Sequence, residues 1–374
     1  MFIIKKENVS PMLMETAQHL HIPVIDEECE GPLELDEHSR VLTNSEACLQ
    51  RLNEWAPHHP FTRISQMVKQ KATFRAMLSD LFPDYYFQLV SLQELRSMSK
   101  EILPFPLVIK PNKGYSSVGV KLVQDRSEWD RSVAELYGEL TLSKGVYSES
   151  VVDQDEIIIE KWIDGEEYAV DCYFDHEGKP VILNILKRMF ASSTDTSDRM
   201  YYTSTSIVAE VFHEVEGFLH KLSGMLEVSH YPFHLELRRS EAGMMAIELN
   251  PLRFAGAGTT DISTHAYGIN GAEAYMLNER PDWSEILKRT DDRIYGFCCI
   301  ELPVDILKQD LHSFDHEALK ERFTDILEYR NVESSDDQML SVVFFRTSSM
   351  EEVHDLLHVE LNPYITEKKE GVPS

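Results

Sequence analysis

Residues 1–66 alternate between short apolar runs, which predict strands, and apolar positions at helical spacing, which predict helices. The order is strand (FIIKK), helix (PMLMETAQHL), two strands (PVID and RVLTN) and helix (SEACLQRLNEWA). Ser45 stands where an N-cap is expected before the last helix, because its hydroxyl can accept a hydrogen bond from the first turn. The segment therefore predicts a short α/β unit.

A longer amphipathic stretch follows, and then the pattern changes. SQMVKQKATFRAMLSDLF keeps helical spacing until Pro83, which predicts one helix with Lys71 in its interior. From Pro104 to Phe174, short β-branched runs are separated by glycines, and one helix, SEWDRSVAELYGEL, interrupts them. The predicted strands are PLVIKP, GVKLV, VYSESVV, EIIIEKWI and EYAVDCYF. This part predicts a small α+β module.

The remaining pattern completes an α/β fold. The strand VILNILKRMF precedes a long polar loop through Thr203, the helix EVFHEVEGFLHKLSGMLEV, the strands FHLELRR and MMAIELN, and the helix THAYGINGAEAYML. Prolines and charges in NERPDWSEILKR predict a boundary, after which a strand, a helix, a strand and a helix follow. We therefore expect three units, residues 1–66, 67–289 and 290–374, with a lid at about 104–163 inside the second.

Composition narrows the classes of partner. Of the 374 residues 43% are hydrophobic, and 36 Lys and Arg against 64 Asp and Glu give a formal net charge of −28. A surface this acidic repels phosphodiester backbones and anionic lipids, so we expect neither nucleic acid nor a membrane as a partner. No apolar run approaches the ~20 residues of a membrane span, and the start MFIIKKENVS lacks a secretory apolar region. The expected compartment is the cytoplasm.

Cysteine and histidine spacings do not favour a metal or disulfide framework. Five cysteines without a CxxC spacing predict reduced thiols, and the apolar run around Cys298 and Cys299 predicts a buried strand. HDLLH places His354 and His358 one helical turn apart. Zinc there is an alternative that we do not favour, because the motif lacks a third ligand.

A glycine-rich turn between two strands is the first candidate for chemistry. In PLVIKPNKGYSSVGVKLV the strand ends in Lys110, and Gly114 and Gly119 flank hydroxylated residues that include Ser116 and Ser117. Successive backbone N–H groups and hydroxyls can close over phosphates, and the lysine supplies a point charge. The alternative is an ordinary β-hairpin with a glycine loop.

The segment EIIIEKWIDGEEYAVDCYF predicts two strands joined by an extended link. Backbone groups in this link could pair with the edge of a purine ring while Trp162 and Ile163 flank the ring. Glu160 could accept a hydrogen bond from an exocyclic amine and Glu167 from ribose hydroxyls, because an ionised carboxylate is only an acceptor. A hairpin with a solvated acidic tip is the alternative.

Two further strands bring acidic and amide side chains to one face. Alternation in FHLELRRSEAGMMAIELN puts His234, Glu236 and Arg238 on the same face, and a hairpin sets Glu236 near Glu248 and Asn250. Adjacent carboxylates repel unless a cation lies between them, and Mg²⁺ takes a few carboxylates plus substrate phosphates. Unrelated surface acids are the alternative.

Together these stretches resemble the ATP-grasp superfamily, and specifically its carboxylate–amine ligase branch. The matching stretches are VIKPNKGYSSVGV, EKWIDGEEYAV and HLELRRSEAGMMAIELNP, and EKWIDGEEYAV is close to the E-K-W-x-x-G-x-E pattern of D-alanine–D-alanine ligases. The resemblance implies an ATP-grasp fold with ATP and Mg²⁺, or Mn²⁺, as cofactors. The implied roles are ATP phosphates for Lys71 and Lys110, the flexible lid for Gly114 to Gly119 with Ser116 and Ser117, adenine for Glu160, Lys161, Trp162 and Ile163, ribose for Glu167, and two Mg²⁺ ions for Glu236, Glu248 and Asn250.

One departure from the family pattern concerns the cation at the reacting centre. Many members read N-P-R after the metal asparagine, whereas Leu252 intervenes here in NPLRF. The resemblance assigns Arg253 to the transferred phosphate, or that role falls to Lys187 or Arg188 in ILKRMF. Solvated strand-end charges are the alternative for the last two.

The acceptor pocket is expected in two polar loops, ASSTDTSDRMYYTS and FAGAGTTDISTH. Arg199 and Arg253 could clamp a carboxylate, and Asp195, Asp198 and Asp261 could hold an amino group. A surface loop and a structural glycine turn are the alternatives.

The resemblance implies an ATP-dependent ligase that forms an amide through an acylphosphate and releases ADP and phosphate. Its partners would be small carboxylate and amine substrates, and the oligomeric state is open, with a homodimer as one option. Two alternatives stay open: a kinase-type phosphotransferase on the same scaffold, and an ATP-binding regulator without turnover.

Overall fold

The computed structural model describes residues 1–6, 9–29, 31, 34–36, 38–114, 119–143, 155–192, 195, 197–302, 306, 308–332 and 338–367. It confirms the predicted α/β class: in the described residues, helices pack on two larger antiparallel sheets and on a small parallel one, and residues 311–314 and 365–367 form a further antiparallel pair.

The N-terminal unit is the predicted α/β arrangement. Strand β1 (Phe2–Ile4) pairs in parallel with β2 (Val24–Asp26) and β3 (Leu42–Thr43). Helices α1 (Pro11–His19) and α2 (Glu46–Trp55) accompany the strands. The Ala47 N–H donates to the Ser45 hydroxyl, so the predicted N-cap of α2 is confirmed.

The helix predicted around Lys71 is wrong in one respect, since two helices meet there. Helix α3 (Pro60–Lys69) ends before Gln70, whose ψ of 101° is not helical, and α4 (Lys71–Met77) begins immediately after it. The Lys71 N–H donates to the Asn112 C=O, and the Ala72 N–H to the Asn112 side-chain oxygen, both at 2.9 Å. Lys71 is therefore the first residue of a helix, and a partner 41 residues away in sequence sets its position.

The part of the chain with the predicted lid is an antiparallel sheet with helices on it, and it begins earlier than residue 104, because residues 87–91 form one of its strands. In the described residues the strand order is β4-β7-β5-β6, and α6 contributes Trp129, Leu136 and Leu140 to the core of the lid. The predicted strand VYSESVV lies outside the described residues. The elements are β4 (Phe87–Ser91), α5 (Leu92–Ser97), β5 (Leu107–Pro111), β6 (Lys121–Val123), α6 (Trp129–Ser143) and β7 (Glu156–Lys161).

After the lid, the chain forms strands of the central sheet. The predicted hairpin of β11 and β12 is present and pairs on its other edge with β8. The loop predicted through Thr203 is wrong at its end, because residues 200–203 form a strand that pairs with both β9 and β13. These elements are β8 (Glu166–Phe174), β9 (Pro180–Met189), β10 (Met200–Thr203), α7 (Thr205–Leu226), β11 (Tyr231–Ser240) and β12 (Gly243–Pro251).

The last part of the chain continues the same sheet. Within the described residues the strand order is β12-β11-β8-β9-β10-β13-β16-β15, so hydrogen bonding runs across the division predicted at residue 290. The single helix predicted in THAYGINGAEAYML is two helices, separated at Gly268, which adopts φ 72°. The elements are α8 (Ile262–Tyr267), α9 (Gly271–Leu277), α10 (Trp283–Arg289), β13 (Ile294–Glu301), β14 (Leu311–Phe314), α11 (His316–Lys320), β15 (Ile326–Asn331), β16 (Met339–Thr347), α12 (Met350–Leu357) and β17 (Ile365–Glu367).

Across the described ranges, every helix is too short or too polar to cross a bilayer.

Candidate active site

A cleft of about 1090 Å³ lies between the lid sheet and the central sheet. Side chains from both sheets line it, and the N-terminal unit and the loop after β12 contribute further ones. The predicted site residues that line the cleft are Lys71, Lys110, Gly114, Glu160, Lys161, Trp162, Ile163, Glu167, Glu236, Glu248, Asn250 and Arg253. Residues from distant parts of the sequence therefore meet as the resemblance implies.

The Glu160 carboxylate lies near the end of β7, just before the link to β8, and is paired with two cationic side chains. Its oxygens lie 2.5 Å from Lys110 Nζ and 2.6 Å from Arg75 Nε. Burial alone would raise the pKa of Glu160, but Arg75 and Lys110 lower it to about 2. The carboxylate thus anchors the lysine near the end of β5, and its contact with an exocyclic amine stays a prediction.

The link itself is fixed by two cationic side chains. Lys161 Nζ donates to the carbonyl oxygens of Pro104 at 3.0 Å and Phe105 at 2.9 Å, so its side chain fastens the link to the start of the lid. The Arg238 guanidinium stacks 3.8 Å from the centroid of the Trp162 ring and donates to the Ile163 C=O at 2.8 Å. The sequence placed Arg238 on the correct face but gave it no role.

Glu167 lies beside the link and is paired with two arginines. Arg188 Nη1 is 2.7 Å from one carboxylate oxygen and Arg238 Nε is 2.9 Å from the other. Glu167 is buried and lines the cleft, and Arg238, which contacts it, also stacks on Trp162. Its ribose role stays a prediction.

The β11–β12 hairpin places its acids as predicted. Glu236 is opposite Glu248, His234 is opposite Asn250, and Asn250 Nδ2 donates to Glu236 Oε1 at 3.2 Å. Burial and the Glu248 charge raise the pKa of Glu236 to about 7. Burial opposes ionisation of Glu248 too, but Lys71 and Lys69 hold its pKa well below the usual range.

The side-chain oxygens of Glu236, Glu248 and Asn250 suit a hard divalent cation. Two carboxylates and an amide oxygen are the oxygen ligands that Mg²⁺ prefers, and it completes its shell with substrate phosphates and water. The described part of the chain holds no group of three or more His, Cys, Asp and Glu side chains suited to a metal, so the candidate set depends on the Asn250 amide.

His354 and His358 stack with ring centroids 4.2 Å apart, and the described part of the chain adds no third zinc ligand to them.

Lys69 and Glu46 belong to this site and were missed in the sequence. Lys69 Nζ lies 3.2 Å from Glu248 Oε1 and 3.3 Å from Asn250 Oδ1, while Lys71 Nζ lies 3.2 Å from the same Glu248 oxygen. Glu46 Oε2 accepts from Lys69 at 3.1 Å. The only sequence signal for Lys69 was its position two residues before Lys71. Glu46 had none, because an acid in the first turn of a helix is ordinary.

The extra residue in NPLRF is accommodated by backbone geometry. Leu252 adopts φ 56° and donates its N–H to the Pro232 C=O at 2.8 Å. The chain resumes with Arg253 lining the cleft and its Nε 3.1 Å from Glu46 Oε1. The insertion therefore leaves an arginine next to the hairpin acids.

A histidine and an aspartate tie the hairpin to the following loop. His234 Nδ1 lies 2.8 Å from Asp171 Oδ1, and the Ala255 N–H donates to the same oxygen at 2.8 Å. Asp171 is fully buried, and its other oxygen accepts from Asn184 Nδ2 at 2.7 Å. Sequence reasoning noted His234 only as a neighbour of Glu236.

Several expected residues do not reach the cleft. Lys187 is ion-paired with Glu166, while Arg188, the next residue of β9, lines the cleft. The expectation for Lys187 is therefore wrong, because adjacent residues of a strand face opposite sides. Arg199 donates to the Val359 C=O at 2.8 Å, and neither Arg199 nor Asp261 lines the cleft.

The glycine turn is described only at its ends. A Cβ at Gly114 would lie 3.7 Å from Lys71 Nζ, and one at Gly119, which has φ 70°, would press on Pro111 and Leu136. Ser116 and Ser117 lie outside the described residues. Asp195 and Asp198 also line the cleft.

Comparison with known proteins agrees with this geometry. Residues 103–261 match the family model of the ATP-grasp domain. Over 101 residues the chain is 39% identical to a D-alanine–D-alanine ligase of Bacillus anthracis (strain CDC 684 / NRRL 3495). The matched stretch is 27% of this chain and 28% of the relative. A D-alanine–D-alanine ligase of Anaplasma marginale (strain Florida) is 28% identical over 110 residues, 29% of this chain and 28% of the relative. The chain thus matches just over a quarter of the length of these curated relatives.

Solved structures resemble the chain over nearly its whole length. An L-amino acid ligase from Bacillus licheniformis has a TM-score of 0.66 at 19% identity, covering 98% of each chain. A carboxyaminoimidazole ribonucleotide synthase from Aspergillus clavatus, complexed with ATP, has a TM-score of 0.64 at 12% identity, covering 96% of each chain. At these identities the likeness concerns the fold.

Proposed function

We propose that this chain, which contains an ATP-grasp domain, is an ATP-dependent carboxylate–amine ligase that forms an amide through an acylphosphate. One observation carries the proposal: a single cleft gathers the lysines of the lid side, the link beside Trp162, the hairpin acids and Arg253. Each of these groups suits a different part of the reaction, and their conjunction is what a two-step ligase needs.

The adenosine end is proposed at the link between β7 and β8. Trp162 and Ile163 supply apolar surface for a purine, and the buried Glu167 supplies carboxylate oxygens near ribose hydroxyls. The two arginines on Glu167 hold its carboxylate in place, so it can accept without reorganising.

The phosphate end is proposed where Lys71 and Lys110 converge. Both lysines are buried and paired with carboxylates, so their charge is concentrated in the cleft of an otherwise acidic protein. Glu236, Glu248 and Asn250 are the proposed Mg²⁺ ligands, and the bound ion would offset the charge of the triphosphate. The segment from Gly114 to Gly119 is the proposed lid that excludes water from the acylphosphate.

The reaction needs no covalent enzyme intermediate. A carboxylate oxygen of the first substrate attacks the γ-phosphorus, the bond from that phosphorus to the β,γ-bridging oxygen breaks, and ADP leaves. The amine nitrogen of the second substrate then attacks the acyl carbon, inorganic phosphate leaves, and the nitrogen loses a proton. Arg253 is the proposed cation for the transferred phosphoryl group, because it lines the cleft beside the hairpin.

The decisive experiment supplies ATP, Mg²⁺ and a mixture of amino acids and measures ADP and phosphate release together with product mass. We expect amide products, and hydroxylamine in place of the amine should give hydroxamates because it traps an acylphosphate. Glu248→Gln should lose turnover by orders of magnitude, while Glu241→Gln, at the exposed turn of the same hairpin, should retain it. A stable phosphorylated product would favour a phosphotransferase, and ATP binding without any product would overturn the ligase.

A further inference from the structure

The N-terminal unit is attached to the cleft by its backbone, at the point where β12 ends. The Thr43 N–H donates to the Leu252 C=O at 2.7 Å, and Thr43 and Arg253 form an isolated parallel β-bridge. Helix α2 begins three residues after Thr43, with Glu46 as its first residue. Main-chain bonds thus fix the origins of the Glu46 and Arg253 side chains relative to each other.

Glu46 contacts two cations with its two carboxylate oxygens. Oε1 lies 3.1 Å from Arg253 Nε and Oε2 lies 3.1 Å from Lys69 Nζ. The Glu46 side chain is 10% exposed, and all three residues line the cleft. Burial opposes its ionisation, but Lys69 and Arg253 hold its pKa below the usual range. Glu46 is therefore a charged group between two cations that would otherwise repel each other.

The contact leaves one edge of the arginine available. Arg253 Nε donates to Glu46 and Nη1 donates to the Phe254 C=O at 3.1 Å. Among the described residues, Nη2 has no hydrogen-bond partner. A guanidinium is planar, so fixing two of its nitrogens fixes the direction in which the third donates. Lys69 is held by Glu46 on one side and by Glu248 and Asn250 on the other, so these three contacts engage its three donors.

We propose that Glu46 is a positioning residue for phosphoryl transfer: it orients Arg253 so that the N–H groups of Nη2 meet the oxygens of the phosphoryl group as it passes to the carboxylate substrate. The inference rests on the proposed function. It makes the N-terminal unit part of the reacting centre, although Glu46 itself touches neither substrate nor phosphate. A charge held in place before the reaction stabilises the transition state without reorganisation.

The test compares Glu46→Gln with Glu54→Gln, a control on the same helix whose carboxylate is exposed and pairs with Arg51. We expect Glu46→Gln to lower kcat at least tenfold while the Kd for Mg²⁺ and the ATP analogue AMP-PNP, measured by calorimetry, weakens no more than twofold. Glu46→Asp, which keeps the charge, should recover part of kcat. A purely structural role would reduce binding, melting temperature and kcat together, and a kcat within twofold of wild type would overturn the proposal.

A double-mutant cycle shows whether Glu46 acts through Arg253. If it does, Glu46→Gln should slow an Arg253→Met background by less than twofold, whereas multiplied effects would overturn the proposal. The same four proteins are also melted, because a direct Glu46–Arg253 contact should give non-additive stabilities whether or not the enzyme turns over. If wild type forms no product, the proposed function fails, and additive melting temperatures would then reject the Glu46 inference separately.

Discussion

At the scale of single residues, the two hairpin acids have the same chemistry but different surroundings. Glu248 contacts Lys69 and Lys71, whereas Glu236 faces Glu248 and, among the described residues, accepts only an amide N–H from Asn250. Their pKa values consequently move in opposite directions, that of Glu236 rising to about 7. The sequence predicted that the acids meet, but it could not predict this difference, because Lys69 arrives from a separate helix.

The raised pKa of Glu236 makes the metal-free protein less stable as the pH rises. The folded state favours the neutral carboxyl, so the stability from this group is full below the ordinary pKa of 4.5 and is lost as pH rises through about 7. Glu236→Gln removes the loss. We expect this variant to melt a few degrees higher than wild type at pH 8, with a free energy of unfolding higher by on the order of 2 kcal/mol. At pH 5 the difference should be much smaller.

The measurement is thermal unfolding with a chelator present at both pH values. Glu241→Gln, at the exposed turn of the same hairpin, should show no such pH-dependent difference. An equal shift of Glu236→Gln at pH 5 and pH 8 would contradict the assignment.

Neighbouring cations of β9 provide a matched pair. Lys187 pairs with Glu166 outside the cleft, whereas Arg188 lines it and holds Glu167 at 2.7 Å. We expect Lys187→Met to leave kcat/KM for ATP within twofold of wild type. Arg188→Lys should raise the KM for ATP about tenfold, because a lysine cannot reproduce the planar donor that orients Glu167. Steady-state kinetics and melting curves of both variants test this. Equal effects of the two substitutions would contradict the assignment of Arg188, rather than Lys187, to the cleft.

At the scale of elements, the lid strand β5 and the helix α4 are joined through the residue that follows β5, Asn112. Asn112 is 1% exposed, accepts from the Ala72 N–H and donates from Nδ2 to Glu156 at 2.9 Å. It therefore caps the helix that carries Lys71 and links it to β7. Apolar spacing alone predicted an unbroken helix here, because the capping partner is remote in sequence. Where caps are local, as at Ser45, the prediction held.

Removing this cap should affect stability and ATP binding together. We expect Asn112→Ala to lower stability by about 1–2 kcal/mol, since it removes the acceptor of the Ala72 N–H and one donor to Glu156. It should also raise the KM for ATP several-fold, because the origin of the Lys71 side chain shifts.

Asn112→Asp is the informative comparison. It keeps the acceptor for Ala72 but places a second carboxylate against Glu156. Denaturant unfolding should rank it between wild type and Asn112→Ala at pH 5, and closer to Asn112→Ala at pH 8. An alanine variant as stable as wild type would show that the cap contributes nothing.

At the scale of the whole molecule, the central sheet continues across the domain boundary that the sequence pattern predicts. Prolines and charges predict a boundary near residue 290, and strand β13 after it pairs with β10 before it. Local pattern predicted most of the individual strands, while their neighbours in the sheet follow from contacts between distant segments. For the same reason, the sequence found three parts of the site through their motifs, and it missed Glu46, which only the docking of the N-terminal unit brings there.

Shortening the chain to residues 1–291 tests how separable the last part is. Met200 and Tyr202 on β10 are buried in a core shared with Cys298, Val343 and Phe345, so the deletion would expose that core and the edge of β10. We expect loss of a cooperative melting transition and of AMP-PNP binding, as judged by circular dichroism and calorimetry. A chain of residues 1–367 is the matched control and should behave as wild type. If the shorter protein melts cooperatively and binds the nucleotide, the predicted division at residue 290 marks an independent domain and the shared core is dispensable for folding.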